Sequence, residues 1–218
     1  MKLIGLVGFI GSGKGTFADT LVERHGFIKE SFANGVKDAT ATVFGWDRKM
    51  LEGDTTESRA WREQPDAFWS KKFGKEFSPR LALQLMGTEA GRDVFHQDLW
   101  IYSLERRLQE DKDYVIADVR FPNEIKAIQE MGGKVIRVKR GPNPDWYYTA
   151  LDYNMKASTI KPDDSIHSSE WAWIGTALDA VVDNNRSVDD LNKKVDLLVD
   201  SLYNIHVEAN EVIGYETV

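Results

Sequence analysis

At 218 residues the chain can bury a sizeable core, as one domain with insertions or as two small ones. Apolar residues make up 42 % and charged residues 29 %, which is ordinary for a soluble globular protein, and a net charge of −7 argues against a duplex nucleic-acid binder but not against nucleotide binding. There is no cysteine, so disulfides and thiolate metal sites are excluded, and no apolar run approaches the length of a membrane span. MKLIGLV is too short for a signal-peptide core. The expectation is a cytoplasmic, enzyme-like protein with no membrane and no nucleic-acid partner.

LIGLV (3–7) predicts a buried strand. GFIGSGKGT (8–16) follows directly, and then FADTLVERHGF, a helix with Phe17, Leu21 and Val22 on one side and Gly26 as its stop. Strand, glycine-rich turn and helix start form the context that a phosphate-binding loop requires. Gly8, Gly11, Gly13 and Gly15 let the backbone turn its N–H groups inward onto phosphate oxygens, and the helix N-terminus adds positive potential. Lys14 would reach the β- and γ-phosphates. The pattern G-x-x-x-x-G-K is complete at Gly8, Gly13 and Lys14. It departs at the next position, Gly15, with the hydroxyl one residue later at Thr16. A metal would then be held more through water, with Thr16 on a phosphate. The competing reading is a glycine-rich turn with no ligand.

Residues 45–78 carry Trp46, Trp61, Phe68, Trp69, Phe73 and Phe77 among many charges. They suggest an insertion that closes on a substrate, or a peripheral aromatic minicore, which is favoured for any single ring. A helix is expected from Pro79 to Met86, broken by Gly87-Thr88. It sets Arg80 and Gln84 on one face, with Arg92 a turn beyond the break. An arginine and an amide converging in this way suit a monophosphate and a base edge, and a solvated helix face explains them equally well.

YVIADV (114–119) is a second core strand that puts Asp118 at its carboxyl end, where open α/β sheets bind ligands and a carboxylate partners Mg²⁺. Arg120, two residues on, faces the same way. The alternatives are a strand-end cap and a surface ion pair. Pro122 opens a helix that Gly132-Gly133 ends, and KVIRVK (134–139) completes a βαβ unit and implies a parallel sheet. Residues 141–166, with three prolines, Trp146, Tyr147, Tyr148 and Tyr153, read as a second insertion. HSSE (167–170) has the form of half a metal site, but no second cluster exists. A lid hinge, an acceptor contact or a helix N-cap by Ser168 or Ser169 fits better. ALDAVVDN (177–184) makes a fourth strand, and 186–204 a final amphipathic helix with Ser187 as N-cap. The tail 204–218 is a partner or dimer contact, or a loosely packed end.

The loop with its displaced Thr16 resembles that of nucleoside monophosphate kinases. FANGVKDA (32–39), RLALQLMGTEAGRDVFHQDLW (80–100), the segment 114–140, HSSE and VVDNNRSVDDL (181–191), in that order, resemble the bacteriophage deoxynucleoside monophosphate kinases. The resemblance implies a P-loop NTPase fold of class α/β, a mainly parallel sheet flanked by helices. It implies a single kinase domain with core segments 1–44, 79–140 and 171–204, a monophosphate-binding insertion at 45–78 and a lid at 141–170. It implies transfer of the ATP γ-phosphoryl group to a dNMP with Mg²⁺, in the host cytoplasm for a phage-encoded enzyme. By position, Gly11, Ser12, Gly13, Lys14, Gly15 and Thr16 would bind ATP phosphates, and Asn184 would approach the donor adenine. Thr16 and Asp118 would act on Mg²⁺, directly or through water. Arg120, Arg137 and Arg140 would neutralise charge on the moving phosphoryl group. Lys37, Arg80, Gln84, Thr88, Arg92, His167 and Glu170 would line the dNMP site, with Trp100 or Trp69 crowding a ribose 2′-hydroxyl. A homodimer is left open. A dephospho-coenzyme A kinase-like enzyme and a regulatory ATPase acting on a macromolecule are the alternatives.

Overall fold

The computed structural model describes residues 1–203. The expected tail 204–218 and the last residue of the expected 186–204 helix lie outside them. In chain order the elements are β1 (Leu3–Val7), α1 (Lys14–His25), β2 (Ile28–Glu30), α2 (Ala33–Phe44), α3 (Thr56–Glu63), α4 (Ala67–Phe73), α5 (Pro79–Leu85) and α6 (Leu99–Arg107). They continue with β3 (Tyr114–Ile116), α7 (Pro122–Glu130), β4 (Lys134–Lys139), α8 (Tyr147–Asn154), β5 (Ala180–Asp183) and α9 (Val188–Tyr203). The chain forms two compact units, one from Met1–Ser31 with Leu108 onward, the other Phe32–Arg107. None of the described helices is long and apolar enough to cross a membrane.

The first unit is built on a five-stranded, wholly parallel sheet in the order β2-β3-β1-β4-β5. Such a sheet is covered on both faces, so its strands are continuous apolar runs. All five residues of β1 are buried. On one face Ile4, Leu6, Val115, Ile136, Val138 and Val182 pack against Phe17 and Leu21 of α1 and Leu191, Val195, Leu198 and Val199 of α9. Burying each such aliphatic side chain stabilises the fold by about 1.5–3 kcal/mol. The register places Gly5 beside Ile116, the last residue of β3, and Val7, the last residue of β1, beside Arg137, so the carboxyl ends of β3, β1 and β4 are staggered by two residues each.

The four expected strands are present; LIGLV and KVIRVK keep their expected bounds and the other two are shorter. YVIADV pairs only through Tyr114–Ile116, and Ala117 and Asp118 already turn. The fourth strand begins at Ala180 rather than 177. α9 starts after Ser187, whose side chain accepts from the Asp190 amide at 3.2 Å.

The second unit is helical. Phe44, Trp46, Trp61, Trp69, Phe73 and Phe77 form one aromatic cluster, with ring centroids 4.8–6.3 Å apart. Trp46 donates to Asp66 at 2.9 Å and Trp69 to the Phe44 carbonyl at 3.0 Å. The aromatics at 45–78 are therefore a minicore, and Trp69 is held within it rather than free to meet a sugar.

α5 does not stop at Gly87-Thr88 as expected. It passes into a π-helix, Met86–Phe95. The reason lies in Trp100, whose indole donates to the Gly87 carbonyl at 2.8 Å and lies against Gly91. A Cβ at Gly91 would sit 2.6 Å from that ring, so glycine lets the ring in and the wider turn carries the chain past it.

Candidate phosphate-binding site

The loop Gly8–Thr16 leaves the carboxyl end of β1 and enters α1 at Gly13, which has φ +99°. A Cβ there would lie 2.2 Å from the Asn184 amide nitrogen, so this position requires glycine twice over. α1 has no side-chain N-cap and no acidic residue in its first turn. Cβ atoms built on Gly11 and Gly15 would meet nothing within 4 Å. An uncapped helix start faced by open backbone is a cradle for an anion. The Ser12 hydroxyl, buried in the loop, has no hydrogen-bond partner among the described residues.

The Lys14 ammonium folds back and donates to the Gly8 and Phe9 carbonyls at 2.7 and 3.0 Å. Its pKa falls from 10.5 to about 8, chiefly through burial, then through the Arg120 charge, with Glu170 opposing. An anion beside the ammonium would reverse that shift.

Asp118 follows the end of β3, the strand next to β1. Its carboxylate accepts from the Ser31 hydroxyl at 2.6 Å, across 87 positions of sequence. Ser31 follows the short strand β2, which the sequence reading missed because its three residues are largely exposed and show no alternation. Arg120 donates to Glu170 at 2.9 Å, and its backbone amide donates to the buried Glu124 carboxylate at 2.8 Å, at the start of α7. Arg140 is exposed, and with Phe9, Ile10, Trp146 and Glu170 it lines an open cavity of about 680 Å³. Arg120 and Glu170 act electrostatically on Lys14, and Arg140 and Glu170 share the cavity with the loop residues Phe9 and Ile10.

Three further expected site residues make contacts within the protein itself. Asn184 is buried and donates to the Ser12 carbonyl at 2.8 Å, so it braces the loop. His167 is exposed and accepts from the Ser169 amide at 3.2 Å, so it caps the short 3₁₀ turn Ser168–Glu170 with its own ring, where a serine cap was expected. Arg137 is only 3 % exposed, its guanidinium enclosed by aromatic rings, and it does not face open space like Arg140.

In the second unit Arg80, Gln84 and Thr88 are exposed along one face of α5 and its π continuation, while Arg92 is half-buried. Lys37 is ion-paired to Glu52 at 2.6 Å, and Glu52 also binds Arg48. Burial alone would raise the Glu52 carboxyl, but hydrogen bonds from Lys37 and Arg48 outweigh it and hold the group below its usual range. Arg62 was missed. Burial, then the neighbouring Arg80 charge, pushes its guanidinium below its ordinary value, and its Nε is buried with no partner among the described residues. The repeat Arg59-x-x-Arg62 ahead of Arg80 was the available signal. Trp100 is a correction: it is buried against Gly91 and cannot crowd a 2′-hydroxyl.

A parallel sheet whose central strand feeds a glycine loop, a lysine and an uncapped helix defines a P-loop NTPase fold. No protein-family model matches the chain. It is 36 % identical over 154 residues to a protein of Acanthamoeba polyphaga mimivirus, provisionally named a deoxynucleotide monophosphate kinase, covering 64 % of this chain and 75 % of that one. It is 49 % identical over 55 residues to the deoxynucleoside-5′-monophosphate kinase of Escherichia phage T5, over 24 % of this chain and 22 % of that one. Among solved structures, dephospho-CoA kinase from Campylobacter jejuni aligns with TM-score 0.39 at 16 % identity, over 92 % of this chain and 97 % of that one. Shikimate kinase from Aquifex aeolicus aligns with TM-score 0.42 at 14 % identity, over 93 % and 98 %. The chain belongs to the deoxynucleotide monophosphate kinase family.

Proposed function

We propose that the protein transfers the γ-phosphoryl group of ATP to a deoxynucleoside monophosphate. A phosphate oxygen of the dNMP forms a new bond to the γ-phosphorus. The bond from that phosphorus to the β-phosphate oxygen breaks, and dNDP and ADP leave. The observation that carries this reading is the uncapped, glycine-lined start of α1 with Lys14 beside it, in a chain of this family.

The transition state is loose and needs positioning and positive charge more than a strong base. The loop amides and Lys14 hold the ATP phosphates; the Ser12 hydroxyl and Thr16 are the loop's further polar groups. Among the described residues no cluster of three His, Asp or Glu side chains could hold a metal. Asp118, with Thr16, would hold Mg²⁺ beside the phosphates, and when bound the ion would neutralise phosphate charge. Ser31 fixes the Asp118 carboxylate. Arg120 and Arg140 supply cationic charge at the cleft, with Glu170 keeping Arg120 in place until an acceptor or donor phosphate competes for it. In the second unit Lys37, Arg80, Gln84, Thr88 and Arg92, with Arg62 added, bind the dNMP. The segment 141–170 excludes water from the γ-phosphate, as a lid must.

The test is the fate of the label from γ-³²P-ATP. Label appearing in dNDP supports the reading. Label released only as inorganic phosphate at the same rate with and without dNMP defeats it.

A further inference from the structure

Arg137 is a buried cation without an acidic partner among the described residues. It lies within β4, two residues before its end, beside Val7, the last residue of β1. Its guanidinium carbon stands 5.1 Å from the centres of the Tyr147 and Trp173 rings and 5.9 Å from that of Phe9. It donates to the Tyr147 hydroxyl at 3.2 Å and to Asn143 at 2.5 Å, while its Nε has no partner. Cation–π attraction to three rings offsets part of the cost of burying the charge. Replacing such a group with a hydrophobic one is often neutral for stability, so its presence points to a role beyond the core.

The geometry points to Arg137 as the positioning residue that locks the phosphate loop to the segment 141–147. Phe9 is a loop residue. Its carbonyl accepts from both the Ser12 amide, at 3.1 Å, and Lys14. Its ring packs edge-on against Trp146, 5.4 Å between centres, and against Trp173 at 5.3 Å. Moving the Phe9 ring therefore moves the groups that set Lys14. Asn143, held by Arg137, lines the 680 Å³ cavity beside the loop. It also lines a second cavity of about 320 Å³ behind it, with Arg137, Tyr147, Leu151 and Trp173. With space behind the cage, the planar fork of the guanidinium, rather than dense packing, keeps Phe9 and Asn143 in place.

This assignment rests on the loop binding ATP, and it separates positioning from direct contact with the transferred group. Arg137→Met keeps length and apolar packing but loses charge and both hydrogen bonds. A positioning role predicts that the KM for ATP and the calorimetric Kd for MgADP rise by about tenfold, with kcat within about threefold and the dNMP KM within about twofold. Contact with the moving phosphoryl group would instead cut kcat by about a hundredfold or more at unchanged Kd, and that result overturns the proposal. Unchanged ATP KM and MgADP Kd overturn it as well. Should the Met variant not fold, Tyr147→Phe and Asn143→Ala decide. Each removes one hydrogen bond, and each should raise the MgADP Kd by about two- to threefold without lowering kcat; no change in either variant rejects the lock. MgADP binding is read without turnover, so failure of the wild type to phosphorylate any dNMP counts against the proposed reaction and leaves the Arg137 test standing.

Discussion

Lys14 should be a residue whose removal destroys function without weakening the fold. In the ligand-free protein its pKa drops from 10.5 to about 8, with burial the first cause and the Arg120 charge the second. At about 1.4 kcal/mol per unit, this sets a ceiling of roughly 3 kcal/mol on what the charged lysine costs the native state. Two hydrogen bonds to loop carbonyls, at 2.7 and 3.0 Å, offset part of it. Lys14→Met should thus be within about 1 kcal/mol of wild type at pH 7, or more stable, while ATP turnover falls by about a thousandfold. The pH dependence follows from the sign of the shift. The folded pKa lies below the unfolded one, so the penalty is complete below about pH 8 and gone by about 10.5. Wild type should gain on Lys14→Met by up to about 3 kcal/mol as the pH rises through that window. Urea unfolding of both proteins at pH 7, 8, 9 and 10, compared at matched pH, cancels the other titrating groups. A Met variant destabilised by about 2 kcal/mol or more at pH 7, or a difference flat with pH, would refute the reasoning.

Asp118→Asn should keep the fold, lower turnover by about a hundredfold and move the Mg²⁺ activation curve to higher concentration; an unchanged Mg²⁺ titration removes Asp118 from the metal site. Gly13→Ala forces a side chain onto φ +99° and against the Asn184 amide at 2.2 Å. It should break the Asn184–Ser12 bond, cost about 1–3 kcal/mol in a denaturant titration and abolish MgADP binding, and normal MgADP binding would contradict the loop geometry.

Local pattern carried the core of the reading. LIGLV, the glycine loop and the helix to Gly26 were legible because strand, turn and helix each obey short-range rules. Pro122 and Gly132 bracketed α7 for the same reason. What escaped was set at long range. The Ser31–Asp118 contact spans 87 positions, Arg120–Glu170 spans 50 and Asn184–Ser12 spans 172. No spacing rule reaches that far, so the brace that Asn184 gives the loop at Ser12 left no local signal. The sequence shows the Arg137 charge but not its enclosure by Phe9, Tyr147 and Trp173, which is set by residues from three separate segments. Gly87-Thr88 looked like a helix break because the pressure that widens the helix comes from Trp100, a residue on the following helix. β2 is too short and exposed to leave a pattern.

The central claim is that the loop serves phosphoryl transfer to a small nucleotide. Coupled ADP release with MgATP, against dAMP, dGMP, dCMP, dTMP, the ribonucleotides and dephospho-coenzyme A, tests it most directly. The account predicts fast ADP release that depends strictly on one or more dNMPs. ADP release indifferent to every acceptor, or satisfied only by dephospho-coenzyme A, would contradict it.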